Sequence, residues 1–166
     1  VKDYGHIFRD DPAYAAKAAR VADITKDLSE VVHGLELPAS VSGTVPALRV
    51  AYHDACSLQH GQQIRAEPRA LLGDAGFRVV DIPDPHLCCG SAGTYNLLKP
   101  DAAGQLGELK AKAVESVGPQ VVAMGNIGCM EQIASYSQVP VVHTVQLLDW
   151  ATGGPAPAGL GDLTAQ

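Results

Sequence analysis

A chain of 166 residues, 46% hydrophobic and 18% charged, is long enough to bury a core and too apolar to remain disordered. A net charge of −6 with no Lys/Arg cluster excludes a binder of nucleic-acid backbone or of anionic membrane, because both depend on neutralising phosphate. No apolar run approaches the roughly 20 residues that span a bilayer, and the start Val1-Lys2-Asp3-Tyr4-Gly5-His6 reads as neither signal peptide nor initiator. Membrane contact is therefore expected only through a partner, and the chain is expected to be a piece of a longer one.

Residues 10–32 open with Asp10-Asp11-Pro12, a cap followed by proline, and carry apolar side chains at Ala15, Ala18, Val21, Ile24, Leu28 and Val31, a spacing that predicts a helix. Gly34, Pro38, Ser40, Ser42, Gly43 and Pro46 mark residues 33–47 as a connector. From residue 48 short apolar runs alternate with longer amphipathic ones. Strands are predicted at 48–52, 77–80, 121–124 and 139–142. Helices are predicted at 64–72, from the glycine-rich turn at Gly90–Gly93 to Val117, and at 130–136 and 145–150, with Pro68 leaving the start of the first one open. Strands separated by helices imply an α/β fold: a doubly wound, mostly parallel four-stranded sheet with flanking helices and an N-terminal helical extension. The expected division is an extension and connector at 1–47, an α/β domain at 48–152 and a flexible Gly/Pro/Ala-rich tail at 153–166.

The four cysteines fall at matching places in this scheme. Cys56 follows the first strand, Cys88 and Cys89 the second, and Cys129 the third. Carboxyl ends of strands form the ligand crevice of an open parallel sheet, so three loops would deliver four thiols to one place. Without an export signal, disulfide staples are the weaker reading. Four thiolates suit tetrahedral zinc and also a four-iron cluster. The short-spaced cysteine pairs usual at zinc are missing here, and adjacent side chains point apart, which favours a cluster several ångströms wide. Gly90 and Gly93 let the backbone approach closely, and a helix starting there would aim amides at sulfur. His53, His60 and His86 lie within a few residues of the cysteines as possible ligands or supporting donors, His53 being the best placed, at a strand end beside Asp54. No Ser-His-Asp or paired-carboxylate arrangement stands out, and Gly90-Ser91-Ala92-Gly93 lacks nucleophile-elbow spacing, which argues against hydrolase chemistry.

A cysteine, 31 residues, Cys-Cys-Gly, a further 39 residues between the second of the pair and the last cysteine: this pattern resembles the CCG cysteine-rich domain of heterodisulfide reductase B subunits and of glycolate and lactate oxidase iron-sulfur subunits. His53-Asp54-Ala55-Cys56-Ser57-Leu58-Gln59-His60-Gly61 and Gly125-Asn126-Ile127-Gly128-Cys129 look most like the C-terminal part of the glycolate oxidase iron-sulfur subunit. The resemblance implies an electron-transfer subunit without catalysis of its own. Its cluster, of the [4Fe-4S] kind, would be held by Cys56, Cys88, Cys89 and Cys129, with Gly90 and Gly93 shaping the loop. Flavin-containing subunits would be its partners and a quinone its acceptor, in the cytoplasm or peripherally at the inner face of the plasma membrane. Heterodisulfide reductases place a fifth cysteine three positions after the last; here that residue is Gln132, which puts a noncubane cluster and disulfide reduction in doubt. Two rivals stand beside this reading: a structural zinc domain that docks the flavin subunits, and a dithiol exchange module on Cys88 and Cys89, the latter disfavoured by the strain of a disulfide between neighbours.

Overall fold

The computed structural model describes residues 1–35, 45 and 47–161, which fall into two compact units, Val1–Leu35 and Glu36–Gln166. Most of the connector expected at 33–47, and residues 162–166 of the expected tail, lie outside the described residues.

The first unit holds α1 (Tyr4–Ile7), α2 (Ala15–Ile24) and α3 (Leu28–His33). The helix expected at 10–32 is thus two helices. Asp27 accepts from the Ser29 amide while Glu30 reaches back to the Asp27 amide, and this reciprocal cap starts a new helix where the apolar spacing by itself runs on. Phe8 packs edge-on to Tyr4 and against Tyr14, with ring centroids 6.1 and 5.9 Å apart.

The second unit alternates strand and helix: β1 (Arg49–Tyr52), a π-helical turn (Ser57–Gln62), α4 (Ala66–Asp74), β2 (Arg78–Asp81), α5 (Tyr95–Leu98), α6 (Pro100–Glu115), β3 (Val121–Met124), α7 (Ile127–Ala134), β4 (Val141–His143) and α8 (Thr144–Ala151). All pairings are parallel, in the order β2-β1-β3-β4. The fold is α/β, with a parallel sheet flanked by helices. Central β3 is apolar and wholly buried and β1 nearly so, whereas edge strand β2 leaves Arg78 and Asp81 exposed, as a strand covered on one side only can. Helices α4 and α8 pack together, as do α6 and α7.

Proline decides two boundaries. Pro68 is tolerated because it falls in the first turn of α4, where its missing N–H has no partner to lose. Pro100 begins α6, so the helical stretch expected from Gly90 onward is a short turn and a separate long helix. In the segment after α8, Leu160 is fully buried. No helix among the described residues is long and apolar enough to cross a membrane.

The sheet reverses its winding between β1 and β3. A crevice opens at such a switch point, beyond the strand carboxyl ends, because the following connections leave in opposite directions.

Candidate metal centre

Three loops leave the carboxyl ends of β1, β2 and β3, and each carries cysteine: Cys56, then Cys88 and Cys89, then Cys129. All four line one cavity of about 240 Å³, together with Ala55, Ser57, Ser91, Ala92, Gly93 and Asn126. Cys89 and Cys129 are buried, and Cys56 and Cys88 partly so.

Each loop is held by specific contacts. Cys56 caps the π-helical turn, an uncommon helix form that recurs at functional sites. From that turn the buried Gln59 side chain donates to Asp54 O at 3.1 Å and Pro85 O at 2.9 Å, joining the loop of Cys56 to that of Cys88 and Cys89. The Arg69 guanidinium grips both oxygens of buried Asp54 at 2.8 and 2.5 Å, reaches Asp81 at 2.9 Å and lies over the Tyr52 ring, which anchors the segment between His53 and Cys56. Gly90 turns at φ +95° against the Ala103 carbonyl of α6. Cys129 stands in the first turn of α7, its amide bonded to the Asn126 side chain at 3.1 Å. The helix N-termini at the site are therefore those after Cys56 and Asn126; none starts at Gly90–Gly93, where glycine shapes turns instead.

Two of the four thiols are in contact. Cys89 and Cys129 have sulfurs 3.2 Å apart, the Cys88 sulfur accepts from the Gly90 amide at 3.4 Å, and Cys56 lies within electrostatic reach of Cys88 and Cys89. Two sulfurs in contact cannot both ionise without a cation, so one proton remains between them. The Cys129 thiol, donating to Cys89, draws the Cys89 thiol down, with the nearby His53 ring and Ser91 amide adding to this against burial. Cys129 is driven up by that same Cys89 contact and by burial. Burial raises Cys56 as well, and neighbouring Cys88 adds to it.

Of the three histidines singled out by sequence, only His53 is buried; His60 and His86 are exposed and line no part of the cavity. His53 Nε2 has no hydrogen-bond partner among the described residues. Donor atoms of His53, Cys89 and Cys129 lie within 4.8 Å of one another, the one such group of three or more among the described residues. Gln132, at the position of the fifth cysteine, turns away and donates to Ala103 O at 3.0 Å, where it serves helix packing. Sequence reasoning missed Lys110, which is fully buried and close enough to Cys56, Cys88 and Cys89 for their charges to act on it. The available signal was a lysine within the apolar stripe Ala103, Gly107, Ala111, Val114 of α6.

The CCG cysteine-rich domain matches residues 50–134, from β1 through α7, and takes in all four cysteines. The chain belongs to this family. The glycolate oxidase iron-sulfur subunit of Escherichia coli (strain K12) is 39% identical over 151 residues, which cover 91% of this chain and 37% of that protein. Lactate utilization protein A of Bacillus subtilis (strain 168) is 28% identical over 154 residues, 89% of this chain and 64% of the relative. The chain thus spans only part of the length of either protein.

The donor set of this CCG domain, four thiols on one cavity and the buried His53 near two of them, suits a thiolate-bound metal or cluster. Four sulfurs around a single zinc, each at about 2.3 Å, would all lie within about 4 Å of one another. Here Cys89, Cys129 and His53 are gathered closely, and Cys56 and Cys88 line the same cavity as the two sulfurs in contact. A cation also removes the conflict at the Cys89–Cys129 contact, since a coordinated thiol is deprotonated outright.

Proposed function

We propose that this chain is the electron-relaying part of a flavin-dependent 2-hydroxy-acid oxidase, holding an iron-sulfur cluster of the [4Fe-4S] kind through Cys56, Cys88, Cys89 and Cys129. The observation that carries this reading is the convergence of four thiols, two of them in contact, on one cavity at the switch point of the sheet. The names of two relatives, an iron-sulfur subunit and a lactate utilization protein, support it. When bound, the cluster would supply one-electron transfer. The chain's own residues would supply ligands, a partly buried setting and loops braced by Gln59, Arg69 and Gly90. Oxidation of glycolate or a related 2-hydroxy acid would occur on flavin-containing partner subunits. Electrons would leave toward a quinone or similar acceptor, with the complex in the cytoplasm or at the inner face of the plasma membrane. With Gln132 committed to Ala103, a fifth sulfur ligand is missing from that position, which favours a cubane over a noncubane cluster.

The triad His53, Cys89 and Cys129 favours a second reading, in which one zinc ion sits on these three donors and has a structural role. One experiment separates the two. The chain is purified without oxygen after iron-replete expression, and iron, zinc and acid-labile sulfide are measured with a visible spectrum, for wild type and Cys89→Ser. The cluster reading expects about four irons and four sulfides per chain, falling in the variant. Zinc without sulfide would replace it with the structural reading.

A further inference from the structure

Lys110 is the one lysine or arginine among the described residues that is fully buried. Its Nζ donates to the Asp84 carbonyl at 3.2 Å, in the loop that leads to Cys88 and Cys89. No carboxylate among the described residues lies within ion-pair distance of it. A buried ammonium bonded to a single carbonyl is a large desolvation cost, and the exposed Asp84 carboxylate, beyond ion-pair distance, offsets it only in part, so further negative charge nearby is called for. Its surroundings point to the source. The face of α6 that carries Lys110 also carries Ala103, whose carbonyl abuts Gly90 immediately after the cysteine pair. Cys56, Cys89, the Asp84 carboxylate and Cys88 each act on the lysine electrostatically, in opposition to its burial, Cys56 and Cys89 more strongly than Asp84. Lys110 in turn eases ionisation of Cys56. Four thiolates on a dication, or on a cubane core of the same charge, leave the site at about −2.

We propose that Lys110 is the built-in counter-charge of the thiolate site, fixed by the Asp84 carbonyl, and that it raises the potential at which the bound cluster accepts an electron. This rests on the cluster reading of the site. In the step concerned, one electron passes from a donor, the flavin subunits or dithionite in a test, to the oxidised cluster; no bond breaks and no proton moves. The reduced cluster is one charge more negative than the oxidised one, so a fixed cation stabilises it more and draws the equilibrium toward reduction.

The test uses the full chain loaded anaerobically, as wild type, Lys110→Met, Lys110→Gln and Lys110→Arg. Iron and sulfide are counted first, and the midpoint potential is then read by dithionite titration of the visible spectrum. Both neutral variants are expected to move the reduction equilibrium about tenfold toward the oxidised form, which is about 59 mV for a one-electron couple. Lys110→Arg is expected to stay at the wild-type potential. Loss of the cluster from both neutral variants, with retention in Lys110→Arg, also supports a requirement for charge. Full iron and sulfide with an unchanged potential in the neutral variants overturns the proposal and leaves the cluster reading intact, as does loss of the cluster from all three variants. Zinc without sulfide in the wild type overturns both, and the sulfide count identifies that case.

Discussion

Replacing Gly90 by alanine should cost this protein more than the same change at Gly93, although both glycines have positive φ and both follow the cysteine pair. At Gly93, with φ +56°, an added methyl meets nothing within 4 Å, so the cost is the backbone term alone, about 1–2 kcal/mol. At Gly90, with φ +95°, the methyl would run into the Ala103 carbonyl oxygen and meet its carbon at 3.2 Å and Gln132 Nε2 at 3.0 Å. The obstacle is helix backbone, which cannot swing aside as a side chain can, so an overpacking cost of about 1–3 kcal/mol is added. The sum, about 2–5 kcal/mol, is a large share of the stability of a typical domain. Urea unfolding of the metal-free chain, followed by the fluorescence of Trp150, the single tryptophan and a buried residue, reports on this unit. Relief of the clash by retreat of the loop would displace Cys89, so metal content should fall in Gly90→Ala and hold in Gly93→Ala. Equal unfolding midpoints for the two variants would refute the argument that α6 sets the position of the cysteine loop.

Arg69→Met should destabilise the protein by about 3 kcal/mol, the lower end for breaking a buried pair because Arg69 itself is partly exposed, since it strands the buried carboxylate of Asp54; an Asp54→Asn, Arg69→Met double variant should recover part of the loss, and failure to do so in urea titrations would show that the pairing is not what stabilises. Metal uptake by the apo chain should strengthen as pH rises. Cys129, raised by its contact with Cys89, holds a proton that zinc on His53, Cys89 and Cys129 must displace, so Zn²⁺ affinity should gain about tenfold per pH unit below its ionisation; a flat profile from direct titrations at several pH values would contradict the assignment. His53→Gln should weaken Zn²⁺ binding by at least about tenfold if the triad holds zinc, and should leave the iron and sulfide count unchanged if the four cysteines hold a cluster.

Much of this architecture is legible in the sequence because it depends on local patterns. Central strands read as short apolar runs because they are covered on both faces, and alternation with amphipathic stretches leaves few topologies beyond a parallel sheet with flanking helices. Placing cysteine just after three of those strands is enough to locate a common site, since the carboxyl ends of parallel strands lie at one edge. Local patterns mislead where a single polar residue overrides periodicity: the cap at Asp27 divides a helix whose apolar spacing is continuous.

Which sulfur faces which was decided only in three dimensions. Sheet order β2-β1-β3-β4 brings Cys129 from a strand next to that of Cys56, yet the sulfur in contact with Cys129 is that of Cys89, from the loop after edge strand β2. His53 is distinguished from His60 and His86 along the chain by its place at a strand end beside Asp54, but its burial, which leaves Nε2 without a partner among the described residues, is a property of the packed sheet. Lys110 shows the same division. Along the chain it is one lysine in an amphipathic helix, and only the packing of α6 against the cysteine loops removes it from water and sets its charge beside the thiols, since contacts between residues distant in sequence exist only once the sheet is assembled.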